Sequence, residues 1–125
     1  MPELLHTAIP GLAPPRKGKV REVYDLGSEL LIVSTDRISA FDVIMANGIP
    51  EKGTILNQMS AFWFKRFANL VPNHVITVDD QEIQDRLPNA HPELAGRALV
   101  AKKAEPLAIE CVARGYISGS LLKEY

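Results

Sequence analysis

The sequence predicts an α+β fold, an antiparallel β-sheet lobe with a packed helix. Three observations predict it. Two strand-like runs joined by turn residues come early, one long stretch repeats its apolar residues at helical spacing, and strands precede the helices instead of alternating regularly with them.

The first fifteen residues hold Pro2, Pro10, Gly11, Pro14 and Pro15, a density that blocks regular structure and predicts a surface lead-in. From Lys17 to Tyr24 the residues are charged, β-branched or aromatic. Asp25-Leu26-Gly27-Ser28 then supplies turn chemistry, and Glu29 to Ser34 contains the apolar run Leu30-Leu31-Ile32-Val33, so the pair reads as a β-hairpin. Thr35 to Asp42 is polar and irregular, Val43-Ile44-Met45 resumes strand character, and Asn47-Gly48-Ile49-Pro50 interrupts it.

Thr54 is placed to cap a helix in which Ile55, Met59, Phe62, Trp63, Phe67 and Leu70 recur at three- and four-residue intervals, and this helix is expected to bury its aromatic face. Pro72 ends it. Val75 to Val78 reads as a short strand, Asp79 to Arg86 as one or two helical turns, and Pro88, Pro92 and Gly96 as a loop. Arg97 to Lys103 and Leu107 to Ala113 are predicted strands, and Ser118-Gly119-Ser120 opens a single helical turn that ends at Tyr125.

Composition narrows the function. With 125 residues, 46% hydrophobic content and a formal charge of −1, the chain is too apolar for a disordered segment and carries no global field for gripping a nucleic-acid backbone. No purely apolar run is longer than that from about Leu30 to Val33, far short of the ~20 residues a bilayer span needs. One cysteine, Cys111, cannot form an internal disulfide; with His6, His74 and His91 it makes no zinc-like spacing, so no metal ligand is assigned. A reducing, cytoplasmic location is expected, with neither nucleic acid nor membrane as partner.

Three segments carry the chemistry. In Arg16-Lys17-Gly18-Lys19-Val20-Arg21, a strand beginning at Lys17 projects Lys17, Lys19 and Arg21 from one face beside a glycine that lets a ligand approach the backbone. The arrangement suits a nucleotide triphosphate, or else a solvated edge strand protected by lysine. In the loop from Thr35 to Asp42, Asp36, Ser39 and Asp42 offer acceptors for an amine, a hydroxyl or hydrated Mg²⁺, or else close turns onto their own backbone. In Leu107 to Arg114, strand alternation sets Leu107, Ile109 and Cys111 on an inner apolar face and Glu110 and Arg114 on the other. Arg114 followed by Ser118-Gly119-Ser120 at a helix start reads as a phosphate cradle, or as a structural ion pair beside an ordinary serine cap. The Phe62, Trp63, Phe64 and Phe67 cluster reads as helix core rather than a base-stacking platform.

The segments Gly18-Lys19-Val20-Arg21-Glu22-Val23-Tyr24, Thr35 to Asp42, Ile49-Pro50-Glu51-Lys52-Gly53 and Pro106 to Ser120 closely resemble, in order, the phosphoribosylaminoimidazole-succinocarboxamide synthase (SAICAR synthetase) family. The resemblance runs from about residue 14 to the end of the chain. It implies the ATP-binding half of a SAICAR synthetase-like fold, organised as a lead-in over 1–15, an ATP-binding lobe over 16–104, and the truncated start of the substrate-binding part over 105–125. The implied activity is an ATP-dependent ligase of de novo purine biosynthesis. It joins L-aspartate to carboxyaminoimidazole ribonucleotide and releases ADP and phosphate, with ATP and Mg²⁺ as cofactors. A non-catalytic nucleotide-binding module derived from the family is the alternative.

Position by position, the resemblance implies that Lys19 and Arg21 lie under the ATP phosphates, with Gly18 allowing close approach and Val23 near the adenine. Lys102, Ala104 and Pro106 belong to the connector that reads the adenine edge. Arg114 and Ser120 match the ribonucleotide-phosphate positions, Glu110 lines the site, and Ser39 and Asp42 face the substrate side. Catalytic residues stay unassigned. Members of the family are much longer chains, and the resemblance places the acidic Mg²⁺ ligands and further basic substrate residues in the part that follows this signature. The 125 residues alone are accordingly expected not to turn over.

Overall fold

The computed structural model describes residues 2–125. Its centre is a hairpin of β2 (Arg21–Asp25) and β3 (Glu29–Ser34), paired antiparallel with Asp25 opposite Leu30 and Arg21 opposite Ser34. The turn works as its residues require. Gly27 takes φ +98°, and its amide donates to the Asp25 carboxylate at 2.7 Å.

The expected strand from Lys17 to Tyr24 is broken. β1 is only Arg16–Lys17, and residues 18–20 turn the chain before β2, so Lys17, Lys19 and Arg21 do not share one strand face. The Gly18 amide closes this turn on the Arg21 carbonyl at 2.8 Å. A second small hairpin, β4 (Ser39–Ala40) with β5 (Val43–Ile44), replaces the irregular loop; Phe41 and Asp42 form its tip with φ of 51° and 63°.

Helix α1 (Lys52–Arg66) leads to β6 (Val75–Thr77), α2 (Asp80–Gln84), a 3₁₀ turn (Pro92–Leu94), β7 (Ala98–Lys102) and α3 (Ser120–Glu124). The sheet order β1-β2-β3-β7-β6 is antiparallel throughout, so β3 and β7 hold its centre. One face forms the core: Tyr24, Leu31, Val33, Ala98 and Val100 pack against Ile83 of α2 and Leu94 of the 3₁₀ turn. Asp79 starts α2 as a side-chain cap, accepting from the Glu82 amide at 3.0 Å.

Several expectations are overturned. The first fifteen residues lack regular structure among those described and are mostly exposed, but they are tied to the lobe more closely than a loose surface lead-in. Ile9 joins the core, and the Leu4 amide donates to Asp36 at 2.8 Å. Helix α1 starts at Lys52, with Glu51 at its N-cap at φ 67° and no side-chain cap, so Thr54 does not cap it. Its aromatic face is not buried: Phe62, Trp63 and Phe67 are all exposed, and the buried helical positions are Gly53 and Asn57. The small and polar side meets the sheet because β3 and β7 present backbone carbonyls there. Asn57 donates to the carbonyls of Gly96 and Ala98 at 3.0 and 3.1 Å.

The strand from Leu107 to Ala113 does not form. The run pairs with none of the described strands, and a segment that finds neither a ladder partner nor a face to bury has no reason to stay pleated. Leu107, Ile109 and Val112 are exposed, and Cys111, expected in the core, is exposed too.

Candidate functional site

The hairpin that carries Gly18, Lys19 and Arg21 is held from below, chiefly by the side chain of Arg37. Arg37 is buried and donates to the carbonyls of Lys19 at 3.1 Å, Gly18 at 3.0 Å and Arg21 at 3.3 Å, and to that of Leu5 at 2.7 Å. Its charge is balanced by Glu22, 3.2 Å away and fully buried in β2. Glu22 also accepts from the Thr7 amide and hydroxyl, both at 2.7 Å, which leaves the Tyr24 hydroxyl to donate to Thr7 at 2.6 Å. Burial pushes the Glu22 carboxyl up, but the bonds from Thr7 and Arg37 outweigh it and hold the group below the usual carboxylate range. Thr35 completes the anchor, its amide and hydroxyl both donating to the Val20 carbonyl, at 3.0 and 2.7 Å.

Asp36 does a parallel job on the other side. Its carboxylate accepts from the amides of Leu4 and Gly53, each at 2.8 Å, and from Arg97 at 2.9 Å. Burial again raises its pKa, and these donors bring it below the ordinary value. The expectation that Asp36 offers an acceptor to substrate or Mg²⁺ is therefore corrected, because its oxygens are spent on the frame. Glu22, Arg37 and Arg97 escaped the sequence reading; the available signal was Glu22 falling in step with inward-facing Tyr24.

Above this frame the cations are exposed. Lys19 pairs with Asp42 at the tip of the β4–β5 hairpin, and this hydrogen bond and charge hold the Asp42 carboxyl below its usual value. Lys17 lies 4.0 Å from Glu22. Arg21 borders a groove of about 890 Å³ between the sheet and α1, lined also by Val20, Thr35, Met59, Trp63 and Phe67. Register places Val23 on the same sheet face as Arg21, opposite Ile32. Ser39 lies in β4, half-buried, beside the Asp42 tip.

The remaining candidates sit apart. Lys102 ends β7, and its amide donates to the His74 carbonyl at 2.8 Å, while Ala104, Pro106 and Glu110 follow on an exposed stretch. Lys103 fastens the start of that stretch to Asp25 at 2.7 Å and to the Gly27 carbonyl at 2.8 Å. Arg114 and Ser120 do meet, the guanidinium donating to the Ser120 hydroxyl at 3.3 Å and to the Ser118 carbonyl at 3.2 Å. They border a pocket of about 280 Å³ with Val112, Leu121 and Glu124. The expected serine cap is absent: Gly119, at φ 62°, precedes the first helical residue, and no side chain caps the five-residue α3.

Among the described residues no group of three or more His, Cys, Asp and Glu is arranged to hold a metal ion, and no helix is long and apolar enough to cross a membrane.

Comparison with known proteins gives a consistent result. The chain is 52% identical over 122 residues to the phosphoribosylaminoimidazole-succinocarboxamide synthase of Citrifermentans bemidjiense, covering 98% of this chain and 41% of that protein. The synthase of Syntrophotalea carbinolica is 49% identical over 125 residues, covering all of this chain and 42% of the relative. A SAICAR synthase from Saccharomyces cerevisiae, solved in complex with SAICAR, superposes with a TM-score of 0.88 at 43% identity, over 98% of this chain and 44% of that one. The chain thus spans about two fifths of the length of these relatives, as their N-terminal part. The SAICAR synthetase family model matches residues 15–125, and with the shared fold this chain belongs to that family.

Proposed function

We propose that this chain forms the nucleotide-binding part of an ATP-dependent ligase that joins L-aspartate to the carboxylate of carboxyaminoimidazole ribonucleotide, with release of ADP and phosphate. The observation that carries the reading is the Gly18–Arg21 turn, whose carbonyls are tied down by Arg37 while Lys19 and Arg21 stand exposed above it. Such a turn holds cations in place for a polyphosphate, so their attraction is spent on the ligand and little on ordering the loop.

In this reading Lys19 and Arg21 bind the triphosphate, Gly18 lets it approach the backbone, and Val23 lies near the adenine. The stretch through Lys102, Ala104 and Pro106 runs along the adenine edge. Ser39 and Asp42 face the substrates, Glu110 lines their site, and Arg114 with Ser120 takes the ribonucleotide phosphate. ATP phosphorylates the poorly reactive carboxylate, and the aspartate amine displaces phosphate from the resulting acyl phosphate. The chain's part is positioning and charge relief. The described residues do not present a Mg²⁺ ligand set, since Asp36 is saturated by Arg97 and two amides. Ligands for the ion are assigned to the remaining three fifths of the family chain. The reading carries a cytoplasmic location with it.

The limited span favours a second reading beside the first, a nucleotide-binding module that does not turn over by itself. Phosphate release is the test, measured on the 125-residue chain and on the same chain joined to the rest of the Citrifermentans bemidjiense relative. Release by the joined protein that needs ATP, aspartate and ribonucleotide together is expected, with none from the short chain. Release indifferent to aspartate overturns the ligase assignment.

A further inference from the structure

The segment from Leu4 to Ile9 is strapped across the frame that holds the Gly18–Arg21 turn, and its ends are fixed apart from that turn. The Leu4 amide donates to the Asp36 carboxylate and the Asp36 amide to the Leu4 carbonyl, each at 2.8 Å, and Ile9 is buried in the core. Between these anchors the strap meets both members of the buried ion pair. The Leu5 carbonyl accepts from Arg37 at 2.7 Å, and half-buried Thr7 donates its amide and its hydroxyl to Glu22, both at 2.7 Å.

The two oxygens of Glu22 are divided between these partners. Oε1 takes both Thr7 donors, and Oε2 takes Arg37 Nη1 at 3.2 Å. Oε2 is also approached by His6 Nδ1 at 3.8 Å and by Lys17 Nζ at 4.0 Å, two exposed side chains that stop short of hydrogen-bond distance. A carboxylate turns about one soft torsion, so a group that fixes one oxygen decides which cation the other faces. Two donors on Oε1 make Thr7 that group. Burial pushes the Glu22 carboxyl up, and of the bonds that bring it back down, those from Thr7 count for more than the one from Arg37. Arg37 passes the constraint on: its Nε and Nη2 hold the carbonyls of Lys19, Gly18 and Arg21, so the plane of the guanidinium sets the path of the turn.

We propose that Thr7 is a positioning residue for the nucleotide: by fixing one oxygen of Glu22 it turns the other to Arg37, and through Arg37 it sets the carbonyls of the Gly18–Arg21 turn and the reach of Lys19 and Arg21. Without the Thr7 hydroxyl, one amide alone holds Oε1, and Oε2 is free to swing from Arg37 toward Lys17 and His6. The inference rests on the reading of that turn as the triphosphate site.

The test uses the chain joined to the remainder of the Citrifermentans bemidjiense relative. Thr7→Val removes the hydroxyl at nearly constant volume, and Thr7→Ser restores it. Tyr24→Phe removes the other partner of that hydroxyl, the phenol 2.6 Å away, and leaves the bond to Glu22 in place. Thr7→Val is expected to raise the KM for ATP about fivefold, the worth of one net hydrogen bond, with kcat and the KM values for aspartate and ribonucleotide within about twofold of the parent. Thr7→Ser is expected to restore the ATP KM, and Tyr24→Phe to leave it unmoved. Amide exchange at Gly18, whose N–H closes the turn on Arg21, is expected to speed up about tenfold in Thr7→Val and to be unchanged in Tyr24→Phe. The ¹⁵N resonance of Arg37 Nε should move only in Thr7→Val.

An ATP KM that rises as much in Tyr24→Phe as in Thr7→Val, or that Thr7→Ser does not restore, overturns the positioning role and leaves Thr7 a general support of the fold. Lys19→Ala separates this from a failure of the site itself. Where Lys19→Ala raises the ATP KM and Thr7→Val does not, positioning is overturned; where neither does, the triphosphate assignment falls and the positioning of a nucleotide falls with it. Should Thr7→Val not fold, the unsubstituted protein decides. The Thr7 and Gly18 amides are expected to be protected from exchange to within about threefold of one another, because one opening releases both. A Gly18 amide that opens about tenfold more often, with Thr7 still protected, overturns the link.

Discussion

Lys19 and Asp42 are paired across two hairpins, the ammonium of the β1–β2 turn against the carboxylate at the β4–β5 tip. The contact joins the proposed nucleotide turn to the loop proposed to face substrate. Both side chains are largely exposed, so the pair adds little to stability and a polyphosphate can displace the acid. Asp42→Asn is expected to tighten ATP binding by up to about fivefold. Lys19→Ala is expected to weaken it by about tenfold or more, the loss of a hydrogen bond to a charged group. Isothermal titration at two salt concentrations checks this, and the Asp42 effect should shrink at high salt.

Selectivity between the two proposed sites is read from kinetics on the chain joined to the remainder of a relative. Arg114→Ala is expected to raise the KM for the ribonucleotide about tenfold with little change for ATP, and Lys19→Ala to do the reverse. Equal effects on both substrates count against the assignment of either residue.

The buried Glu22–Arg37 pair predicts a stability effect remote from chemistry. Arg37→Ala strands a buried carboxylate and releases the carbonyls of Gly18, Lys19 and Leu5, and should cost about 3–5 kcal/mol. Glu22→Gln combined with Arg37→Met is expected to cost less than the sum of the two single changes. Urea unfolding of the four proteins at neutral pH gives the comparison.

Glu22 and Asp36 also set the acid limit. Both are held below their ordinary values, so in the unfolded chain they take up protons at a higher pH than in the folded one. Their contribution is fully present above the usual carboxylate range, and it fades as pH drops from about 4 through the lowered folded-state values. The urea midpoint is expected to be flat from pH 7 to about 5 and to fall steeply below about 4. Asp36→Asn should lower the midpoint at pH 7 and flatten that fall.

Gly53 is the tightest point between α1 and the sheet. With a Cβ placed 2.1 Å from the Ser34 oxygen, Gly53→Ala must push the helix away from β3 and should cost at least about 2 kcal/mol, despite alanine's better helix propensity. Thermal unfolding measures the loss. Faster hydrogen exchange at the Gly53 amide, which donates to Asp36, locates it.

The local elements were written in the chain's own residues. Asp25 and Gly27 made the β2–β3 turn, Asp79 capped α2, and apolar spacing placed α1 to within a turn, because each depends on neighbours in sequence. The order of the candidate segments was equally legible, and it was enough to point to the family. Three outcomes belonged to the tertiary structure. Helical spacing showed that Trp63 and Phe67 share a side of α1, but not whether that side meets the sheet; a glycine and an asparagine facing the carbonyls of β3 and β7 decided it. Alternation proposed a strand through Glu110, but a strand exists only where a ladder partner is brought beside it, and none of the described strands pairs with that run. Arg37 and Glu22 lie fifteen residues apart in sequence, and only the pairing of β2 with β3 brings the guanidinium beneath the turn that it holds.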